Sequence, residues 1–276
     1  MNNLRASEAN PLARFRLDGK IAFLSGATGL LGRPMAWALA TAGAHVLCNG
    51  RRQDAVEALV NELKGAGFNA SEAAFDVTDE AAVVEHIKSI GNTHERLDVL
   101  VNNASSGRSG TMESATLTDF EHSYRVNVTA AFQLMQCSLP LLKQASARSA
   151  VGASVINIAS MYARVSPDPR IYGTSGADNP PYYGAAKAGL VQLTRYAACH
   201  LAPDRIRVNC ISPGPFPSSK YLERDPEFHN RLKNKNPMHR TGDPLEIQGP
   251  VLFLASDASS YITGIDLAVD GGWTAW

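Results

Sequence analysis

Tyr183 and Lys187 stand four residues apart in a segment whose residues predict a helix, so their side chains are expected on one helical face. A phenol with an ordinary pKa near ~10 is a poor acid or base at neutral pH. A neighbouring ammonium stabilises the phenolate and is expected to lower the pKa of Tyr183 towards the working range. The pair therefore predicts acid–base chemistry at a phenol oxygen, although the same spacing also arises by chance in helices.

A glycine-rich turn near the start of the chain is the second group with chemical meaning. It follows an apolar run at residues 20–24, which predicts a buried strand, and it precedes a helical stretch at residues 34–40. Gly26, Gly29 and Gly32 let the backbone turn tightly and approach a pyrophosphate at a helix N-terminus. An ordinary strand-to-helix turn is the alternative, but the order of strand, turn and helix favours nucleotide binding.

Short apolar runs alternate with helical stretches along the rest of the chain. The second strand is predicted at residues 45–49, and a third strand is predicted to end at residues 75–77. The remaining strands are predicted at 98–104, 154–160, 207–214 and 264–272. This alternation implies an α/β protein with a Rossmann-type, doubly wound parallel sheet. In such sheets ligands bind beyond the carboxyl ends of the strands, where the candidate residues of this chain also fall. We expect a single domain over residues 15–276, preceded by a flexible N-terminal arm at residues 1–14.

Bulk properties exclude several other classes of protein. The 276 residues carry a formal net charge of zero, which does not indicate nucleic acid or an anionic membrane surface as a partner. No apolar run approaches the ~20 residues of a membrane-spanning helix, and the N-terminus lacks a signal-peptide pattern. The four cysteines have no C-x-x-C spacing, so structural thiols and no metal site are expected. These features predict a cytoplasmic protein.

The order of the motifs resembles that of the short-chain dehydrogenase/reductase (SDR) family, in its compact single-domain branch. The motifs are the glycine turn, the Asn-Asn-Ala sequence at 102–104, Asn127, the strand-end Ser160 and the Tyr183–Lys187 pair. The similarity extends over residues 15–276. It implies an NAD(P)-dependent enzyme that transfers a hydride between nicotinamide and a carbonyl or secondary alcohol. It also implies a homo-oligomer, either a homotetramer or a dimer.

The resemblance assigns roles to four residues. Tyr183 is implied to be the general acid that protonates the carbonyl oxygen, and Lys187 to lower its pKa and bind the nicotinamide ribose. Ser160 is implied to donate a hydrogen bond to the substrate oxygen, and Asn127 to hold a water in a proton relay. Such groups suit the reaction because hydride transfer builds negative charge on oxygen. Taken alone, Ser160 could be a strand-end turn residue and Asn127 a helix residue bonded to local backbone.

The type of cofactor depends on the end of the second strand. NAD enzymes usually place an acidic residue there for the ribose hydroxyls, whereas NADP enzymes place an arginine nearby for the 2′-phosphate. Here the acid is missing and the sequence is Asn49-Gly50-Arg51-Arg52, so Arg51 is predicted to bind the phosphate and NADP to be preferred over NAD. A solvated arginine pair at the start of the next helix is the alternative.

The resemblance also implies a set of cofactor contacts. Besides Arg51, these are Gly26, Thr28, Gly29, Leu30, Leu31, Asp76, Val77, Asn103, Ala104, Tyr183, Lys187, Pro213, Gly214, Phe216 and Ser218. Within this set, Asp76 is implied to bind the adenine amine. One position departs from the compact branch, because Leu30 replaces the usual middle glycine of the turn.

The interval between Ser160 and Tyr183 is longer than is usual in the family. Its residues 164–181 are rich in proline, glycine and polar side chains, which predicts a loop without regular structure. Because both ends are fixed at candidate catalytic residues, the loop is expected to overhang the substrate pocket. The predicted substrate contacts are Ser105, Arg164, Arg170 and Tyr172.

Three functions are compatible with these motifs. A weaker similarity to gluconate 5-dehydrogenase-like sugar oxidoreductases favours a polyol, a sugar or a sugar acid as substrate. A 3-oxoacyl-carrier-protein reductase is the alternative, but its acidic partner would require a basic patch, and acidic residues interrupt the basic ones between 220 and 240. A non-catalytic cofactor sensor is a third hypothesis, although such proteins typically lose the Tyr or the Lys that this chain keeps.

Overall fold

The computed structural model describes residues 10–106, 110–173, 178–218 and 225–276. Its strands are β1 (Ile21–Leu24), β2 (His45–Gly50), β3 (Ala70–Ala74), β4 (Val99–Asn102), β5 (Ala153–Ile158), β6 (Ile206–Pro213) and β7 (Asp266–Val269). All neighbouring strands are parallel, in the order β3-β2-β1-β4-β5-β6-β7. The predicted α/β class and doubly wound parallel sheet are confirmed.

Helices cover both faces of the sheet. In the described residues they are α1 (Gly32–Thr41), α2 (Gln53–Gly65), α3 (Glu80–His94), α4 (Leu117–Tyr124), α5 (Ala130–Ala147), α6 (Pro181–Leu201), α7 (Pro226–Lys235) and α8 (Gln248–Ala255). Leu39 of α1 and Leu254 of α8 belong to one core cluster, whereas Ile87 of α3 and Leu134 of α5 belong to another. A sheet covered on both faces explains why every residue of β4, β5 and β6 is buried.

The chain reverses its direction across the sheet between β1 and β4. From β1 it moves outward through β2 to β3, and it then returns to β4 on the other side of β1. β1 and β4 are in register, with Leu24 opposite Val101. The loops that follow these two strands diverge and leave a crevice at their carboxyl ends. The glycine turn after β1 and the Asn-Asn-Ala sequence around the end of β4 therefore border the same crevice.

Two sequence predictions differ from the observed elements. β3 ends at Ala74, so Asp76 and Val77 lie in the loop after the strand and not within it. The long interval before Tyr183 was expected to lack regular structure, but Pro169–Ile171 forms a 3-10 turn. Asp168 accepts a hydrogen bond from the Arg170 amide at the start of this turn, and proline fits its first position.

A π-helical turn, Arg125–Thr129, joins α4 to α5. Its extra residue per turn interrupts the regular hydrogen-bond ladder at Asn127, and such turns occur often at functional sites. The sequence predicts a helical region here but does not indicate the π turn.

The predicted N-terminal arm lies partly within the described residues. Pro11–Phe15 forms a 3-10 turn, and the Arg14 guanidinium donates to the Asp257 carbonyl (3.1 Å) and to Ser260 Oγ (3.0 Å). The ring of Phe15 packs on Phe253 with centroids 6.5 Å apart. This end of the arm is therefore anchored to α8 and the turn that follows it, while residues 1–9 lie outside the described residues.

Candidate active site

The glycine turn approaches the end of β4 closely. Gly26 has a φ of +63°, and an added Cβ there would lie 3.0 Å from Ala104 Cα and from Asn103 Nδ2. A Cβ at Gly32 would collide with the Gly26 carbonyl oxygen. Since larger residues do not fit the space at either position, both require glycine.

Ser25 fastens the turn to the same strand end. Its Oγ donates to the Val101 carbonyl (3.3 Å) and accepts hydrogen bonds from the amides of Asn103 (2.9 Å) and Ala104 (3.0 Å). The Asn103 side chain donates back to the Gly26 carbonyl (2.9 Å). The rim of the crevice is therefore held rigidly by hydrogen bonds between the loops after β1 and β4.

A cavity of about 450 Å³ runs along this rim. The predicted cofactor residues that line it are Gly26, Thr28, Gly29, Leu30, Leu31, Arg51, Asp76, Val77, Asn103, Ala104, Tyr183, Lys187, Pro213, Gly214 and Phe216. Ser218 is the exception: it is exposed and lies outside the lining. At the start of α1 the Leu31 side chain provides no cap, so this helix end can accept an anionic group. The cavity thus fits an extended dinucleotide.

Several residues of the lining were missed by the sequence analysis. They include Thr78, Ser106, His122, Val126, Ile158 and Ala159. Ile158 and Ala159 immediately precede Ser160, and His122 and Val126 are spaced four apart just before Asn127. Spacing from the recognised residues could therefore have identified these four.

The carboxylate of Asp76 faces the cavity from the loop after β3. Its Oδ1 accepts hydrogen bonds from the Thr78 amide (2.9 Å) and the Thr78 hydroxyl (2.8 Å). Burial opposes ionisation, but these bonds and the positive charges of Arg51 and Arg125 outweigh it and lower the pKa of Asp76. Asp76 therefore stays a hydrogen-bond acceptor at neutral pH, as binding to an amine requires.

The end of β2 carries no acidic residue, because its last two residues are Asn49 and Gly50. Asn49 is buried, and its amide donates to the carbonyls of Ala73 (2.8 Å) and Phe75 (3.1 Å) at the end of β3. The Asn49 side chain therefore links β2 to the end of β3 and supplies no negative charge to the cavity. Arg51, two residues later, is exposed at the cavity wall.

Lys187 is buried and lines the cavity together with Ser160 and Tyr183. Its side-chain nitrogen donates a 2.8 Å hydrogen bond to the carbonyl of Ile158, the last residue of β5, and lies 5.7 Å from the centroid of the Tyr183 ring. Burial lowers the pKa of Lys187 to about 7. The lysine is therefore only partly protonated at neutral pH.

Tyr183 and Ser160 both line the cavity, and the Ser160 hydroxyl favours ionisation of the phenol. Burial raises the pKa of Tyr183, and Ser160 only partly opposes this. The predicted lowering of the phenol pKa is therefore wrong for this structure. The physical reason is that burial disfavours the phenolate, while Lys187 gives its hydrogen bond to the Ile158 carbonyl.

The neighbouring tyrosine points away from this cavity. Tyr182 is only 4% exposed, and its ring meets Phe120 edge-to-face with centroids 6.5 Å apart. One residue along a helix corresponds to a rotation of about 100°, which explains why the two adjacent phenols have different surroundings.

Asn127 is buried in the π-helical turn and does not line the cavity itself. Its Nδ2 donates to the Ser123 carbonyl (2.9 Å), so its amide is bonded to local backbone. Its Oδ1 accepts a 2.7 Å hydrogen bond from Ser105, which does line the cavity. Asn127 is thus connected to the cavity through the Ser105 hydroxyl.

Three of the predicted substrate residues bind or pack against other residues of the chain. The Arg164 guanidinium binds the carboxylate of Asp266, and the Arg170 guanidinium binds that of Asp168 at 2.7 Å and 2.9 Å. The ring of Tyr172 packs on Phe228 with centroids 5.6 Å apart. None of these three described residues lines the cavity, because internal partners hold each of them. Ser105, the fourth predicted substrate residue, does line the cavity.

The long loop before Tyr183 braces helix α7. Ile171 is buried with Leu232 of α7 in a small apolar cluster. Arg231 Nε donates a 2.5 Å hydrogen bond to the Ile171 carbonyl, and Lys235 lies 3.3 Å from the Asp168 carboxylate. The described part of the loop is therefore packed against α7. Its residues 174–177 lie outside the described residues.

Metal ligands do not gather anywhere in the described ranges: no cluster of histidine, cysteine, aspartate or glutamate there has the size that a metal ion requires. No described helix is both long and apolar enough to cross a membrane.

Known proteins resemble the chain over almost its whole length. A family model described as enoyl-(acyl carrier protein) reductase matches residues 26–274. A rhamnolipid-biosynthesis 3-oxoacyl-[acyl-carrier-protein] reductase of Pseudomonas aeruginosa is 34% identical, covering 94% of this chain and 98% of that protein. A trans-4-hydroxycyclohexanecarboxylate dehydrogenase of Sinomonas cyclohexanicum is also 34% identical, covering 94% and 95%.

Among solved structures, a gluconate 5-dehydrogenase from Burkholderia cenocepacia in complex with NADP and tartrate superposes with a TM-score of 0.86. It is 30% identical, and the match covers 97% of this chain and 100% of that one. The extent of these matches, together with the cavity geometry, establishes the family. The chain belongs to the short-chain dehydrogenase/reductase family and is an NAD(P)-dependent oxidoreductase acting on CH–OH groups.

Proposed function

We propose that the protein is an NADP-preferring oxidoreductase for a small polar substrate, namely a polyol, a sugar or a sugar acid. The proposal rests mainly on the end of β2. There Asn49 is bonded to β3, and Arg51 is the charged residue at the cavity wall. An arginine fork matches a phosphate, whereas the ribose of NAD would lack its usual carboxylate partner.

Tyr183 is proposed as the proton donor in carbonyl reduction. Its raised pKa keeps the phenol protonated at neutral pH, which suits an acid at an oxygen that gains negative charge. Ser160, which lines the same cavity, is proposed to donate a hydrogen bond to that oxygen. The nicotinamide dinucleotide supplies the hydride when it is bound.

Lys187 and Asn127 are proposed to replace the proton that Tyr183 gives up. With a pKa of about 7, Lys187 exchanges protons readily at neutral pH. Asn127 is proposed to hold a water of this relay, and the bond from Ser105 to its Oδ1 fixes its side chain beside the cavity. The π-helical turn at Asn127 supports this role because such turns occur frequently at functional sites.

The polar wall near Tyr183 supports a hydroxylated substrate. Ser105, Ser106 and His122 line the cavity together with the apolar Phe216. Each of the three polar side chains can exchange hydrogen bonds with hydroxyl or carboxylate groups. The solved relative from Burkholderia cenocepacia, described as a gluconate 5-dehydrogenase with NADP and tartrate, supports the same substrate class.

A 3-oxoacyl-carrier-protein reductase is the second candidate, because curated relatives carry that activity in their names. Docking an acidic carrier protein would need free basic residues near the cleft. Three described basic residues of this region are paired internally: Arg231 with Glu227 (3.4 Å), Lys235 with Asp168 (3.3 Å) and Arg240 with Glu246 (2.6 Å). This pairing favours the small polar substrate.

Self-association is also part of the proposal. Four aromatic side chains are at least two-fifths exposed, namely Phe120 of α4, Tyr124 at its end, Phe132 of α5 and Tyr196 of α6. Apolar surface of this kind, on helices α4, α5 and α6, supports a homo-oligomer. Light scattering on the purified protein tests this, since a monomer at micromolar concentration would contradict it.

A substrate panel tests the proposed function. Oxidation of D-gluconate, glucitol and xylitol by the purified protein is measured with NADP⁺ and with NAD⁺. Reduction of acetoacetyl-coenzyme A and 5-keto-D-gluconate is measured with NADPH and with NADH. The proposal expects the highest kcat/KM for a polyol or sugar-acid pair with the phosphorylated cofactor. A clear preference for the acyl thioester would establish the second candidate.

A further inference from the structure

Ser160 begins a short turn that ends at Arg164. The Ala163 amide donates to the Ser160 carbonyl (2.9 Å), and the Arg164 amide donates to the Met161 carbonyl (3.0 Å). The Tyr162 amide donates to Ser160 Oγ at 3.2 Å. Because these bonds link successive residues, a displacement of Arg164 is transmitted to the Ser160 hydroxyl.

A buried carboxylate holds the far end of this turn. Arg164 Nε donates a 2.6 Å hydrogen bond to Asp266 Oδ2, and a second guanidinium nitrogen donates to the Asp266 carbonyl. Asp266 is the first residue of β7, and its side chain is 7% exposed. A guanidinium bound at two points is fixed in orientation as well as in position.

Two residues of β6 hold Asp266 in turn. Ser212 Oγ lies 2.6 Å from Asp266 Oδ1, and Cys210 Sγ lies 3.3 Å from the same oxygen. Both donors are fully buried in the sheet. The carboxylate is therefore positioned by β6 and β7, which makes it a rigid anchor for the turn.

We propose that Arg164 is a positioning residue for Ser160: its bonds to Asp266 tie the turn to β6 and β7 and hold the Ser160 hydroxyl in place at the cavity that Tyr183 also lines. The inference rests on the catalytic role proposed for Ser160. Arg164 does not line the cofactor cavity, although it borders a separate cavity together with Tyr162 and Gly184. Because its guanidinium is bound to Asp266, its proposed effect on Ser160 runs through the turn. Small displacements of a catalytic group are costly, which gives such an anchor a measurable effect.

A double-mutant cycle separates positioning from general stability. The cycle compares the wild type with Arg164→Met, Ser160→Ala and the double variant. For each protein, kcat and KM are measured with NADP⁺ and D-gluconate, or with the substrate of the panel that is turned over fastest. Melting temperatures are recorded for all of them. Arg164→Met is expected to lower kcat about tenfold or more, within the range caused by misplaced catalytic geometry. In the Ser160→Ala background it should lower kcat less than about twofold, because the positioned hydroxyl is gone.

Further variants distinguish the Arg164–Asp266 bonds from a general effect of charge or of misfolding. Arg164→Lys keeps one hydrogen bond to Asp266 and is expected to retain more of kcat than Arg164→Met. Arg148→Met breaks a surface ion pair with Glu95 and should leave kcat unchanged. If Arg164→Met does not fold, Arg164→Lys and Asp266→Asn are used in the same cycle.

Two results would overturn the proposal. One is an unchanged kcat in Arg164→Met. The other is an equal loss in both backgrounds, which would show a purely structural role. Full activity in Ser160→Ala alone would instead refute the catalytic role of Ser160, and with it the basis of the inference.

Discussion

The side-chain nitrogen of Lys187 is bonded to the carbonyl of Ile158, at 2.8 Å, across the boundary between α6 and the end of β5. This bond fixes the lysine beneath the Tyr183 ring without directing it at the phenol oxygen. Because the site is buried, both groups favour their neutral forms: the pKa of Tyr183 is raised and that of Lys187 is lowered to about 7. The site thus combines a protonated phenol with a lysine that is only partly protonated at neutral pH.

The lowered pKa of Lys187 predicts a specific dependence of stability on pH. The unfolded chain keeps an ordinary lysine pKa near ~10.4. Between about pH 7 and that value the unfolded state binds more protons than the folded state, so the free energy of unfolding rises with pH. Lys187→Met lacks this contribution. The stability difference, wild type minus Lys187→Met, should therefore increase by up to ~1.4 kcal/mol per pH unit.

Urea unfolding of the two proteins between about pH 7 and pH 9 measures this difference. All other titrating groups are shared and cancel in the comparison. Curves that stay parallel over this range would show that Lys187 has an ordinary pKa in the folded protein.

Replacing Arg51 should change the choice of cofactor. In Arg51→Ala the KM for NADPH is expected to rise about 10- to 100-fold, since a hydrogen bond to a charged group contributes ~1.5–3 kcal/mol, while the KM for NADH changes little. Arg52→Ala is the matched control, because Arg52 lies beside Asp54, at 3.9 Å, and does not line the cavity. A wild-type protein with higher kcat/KM for NADH than for NADPH would contradict the assignment.

The packing of the long loop on α7 predicts a loss of stability when the contact is removed. Ile171 is 3% exposed and shares its cluster with Met161, Leu232 and Trp273. Ile171→Ala should reduce the free energy of unfolding by ~2 kcal/mol or more, because it leaves a cavity. The dissociation constant of NADPH should not change, since none of these four residues lines the cofactor cavity.

Chemical denaturation and fluorescence titration measure the two quantities. Val84→Ala, a truncation at an exposed position, is the control for stability. A large loss of NADPH affinity in Ile171→Ala would show that the loop supports the nucleotide site and would contradict its role as a brace for α7.

The sequence predicted those features that depend on local patterns. The Tyr183–Lys187 spacing, the glycine turn and the alternation of strands and helices each act within a few residues, and the sheet brings them together at one edge. The wall formed by Asn103 and Ala104 was predictable for the same reason, because both follow a buried strand.

Contacts between distant residues could not be predicted in this way. Arg164 was expected at the substrate, but its partner Asp266 is 102 positions away in the chain. Lys187 was expected to act on the phenol of Tyr183, but burial lowers its pKa and its hydrogen bond goes to the Ile158 carbonyl. Burial and long-range pairing follow from the assembled fold and have no signature in the local sequence.

Comparison of Tyr183→Phe with Tyr182→Phe tests the central claim most directly. Both changes remove one hydroxyl and keep the ring, but only Tyr183 lines the cavity, whereas Tyr182 packs against Phe120. Turnover and NADPH binding by fluorescence are measured on both variants. Tyr183→Phe should lower kcat by ~10²–10⁴-fold with NADPH binding preserved, and Tyr182→Phe should keep most of its activity. Near-normal turnover in Tyr183→Phe, with intact NADPH binding, would contradict the proposed mechanism.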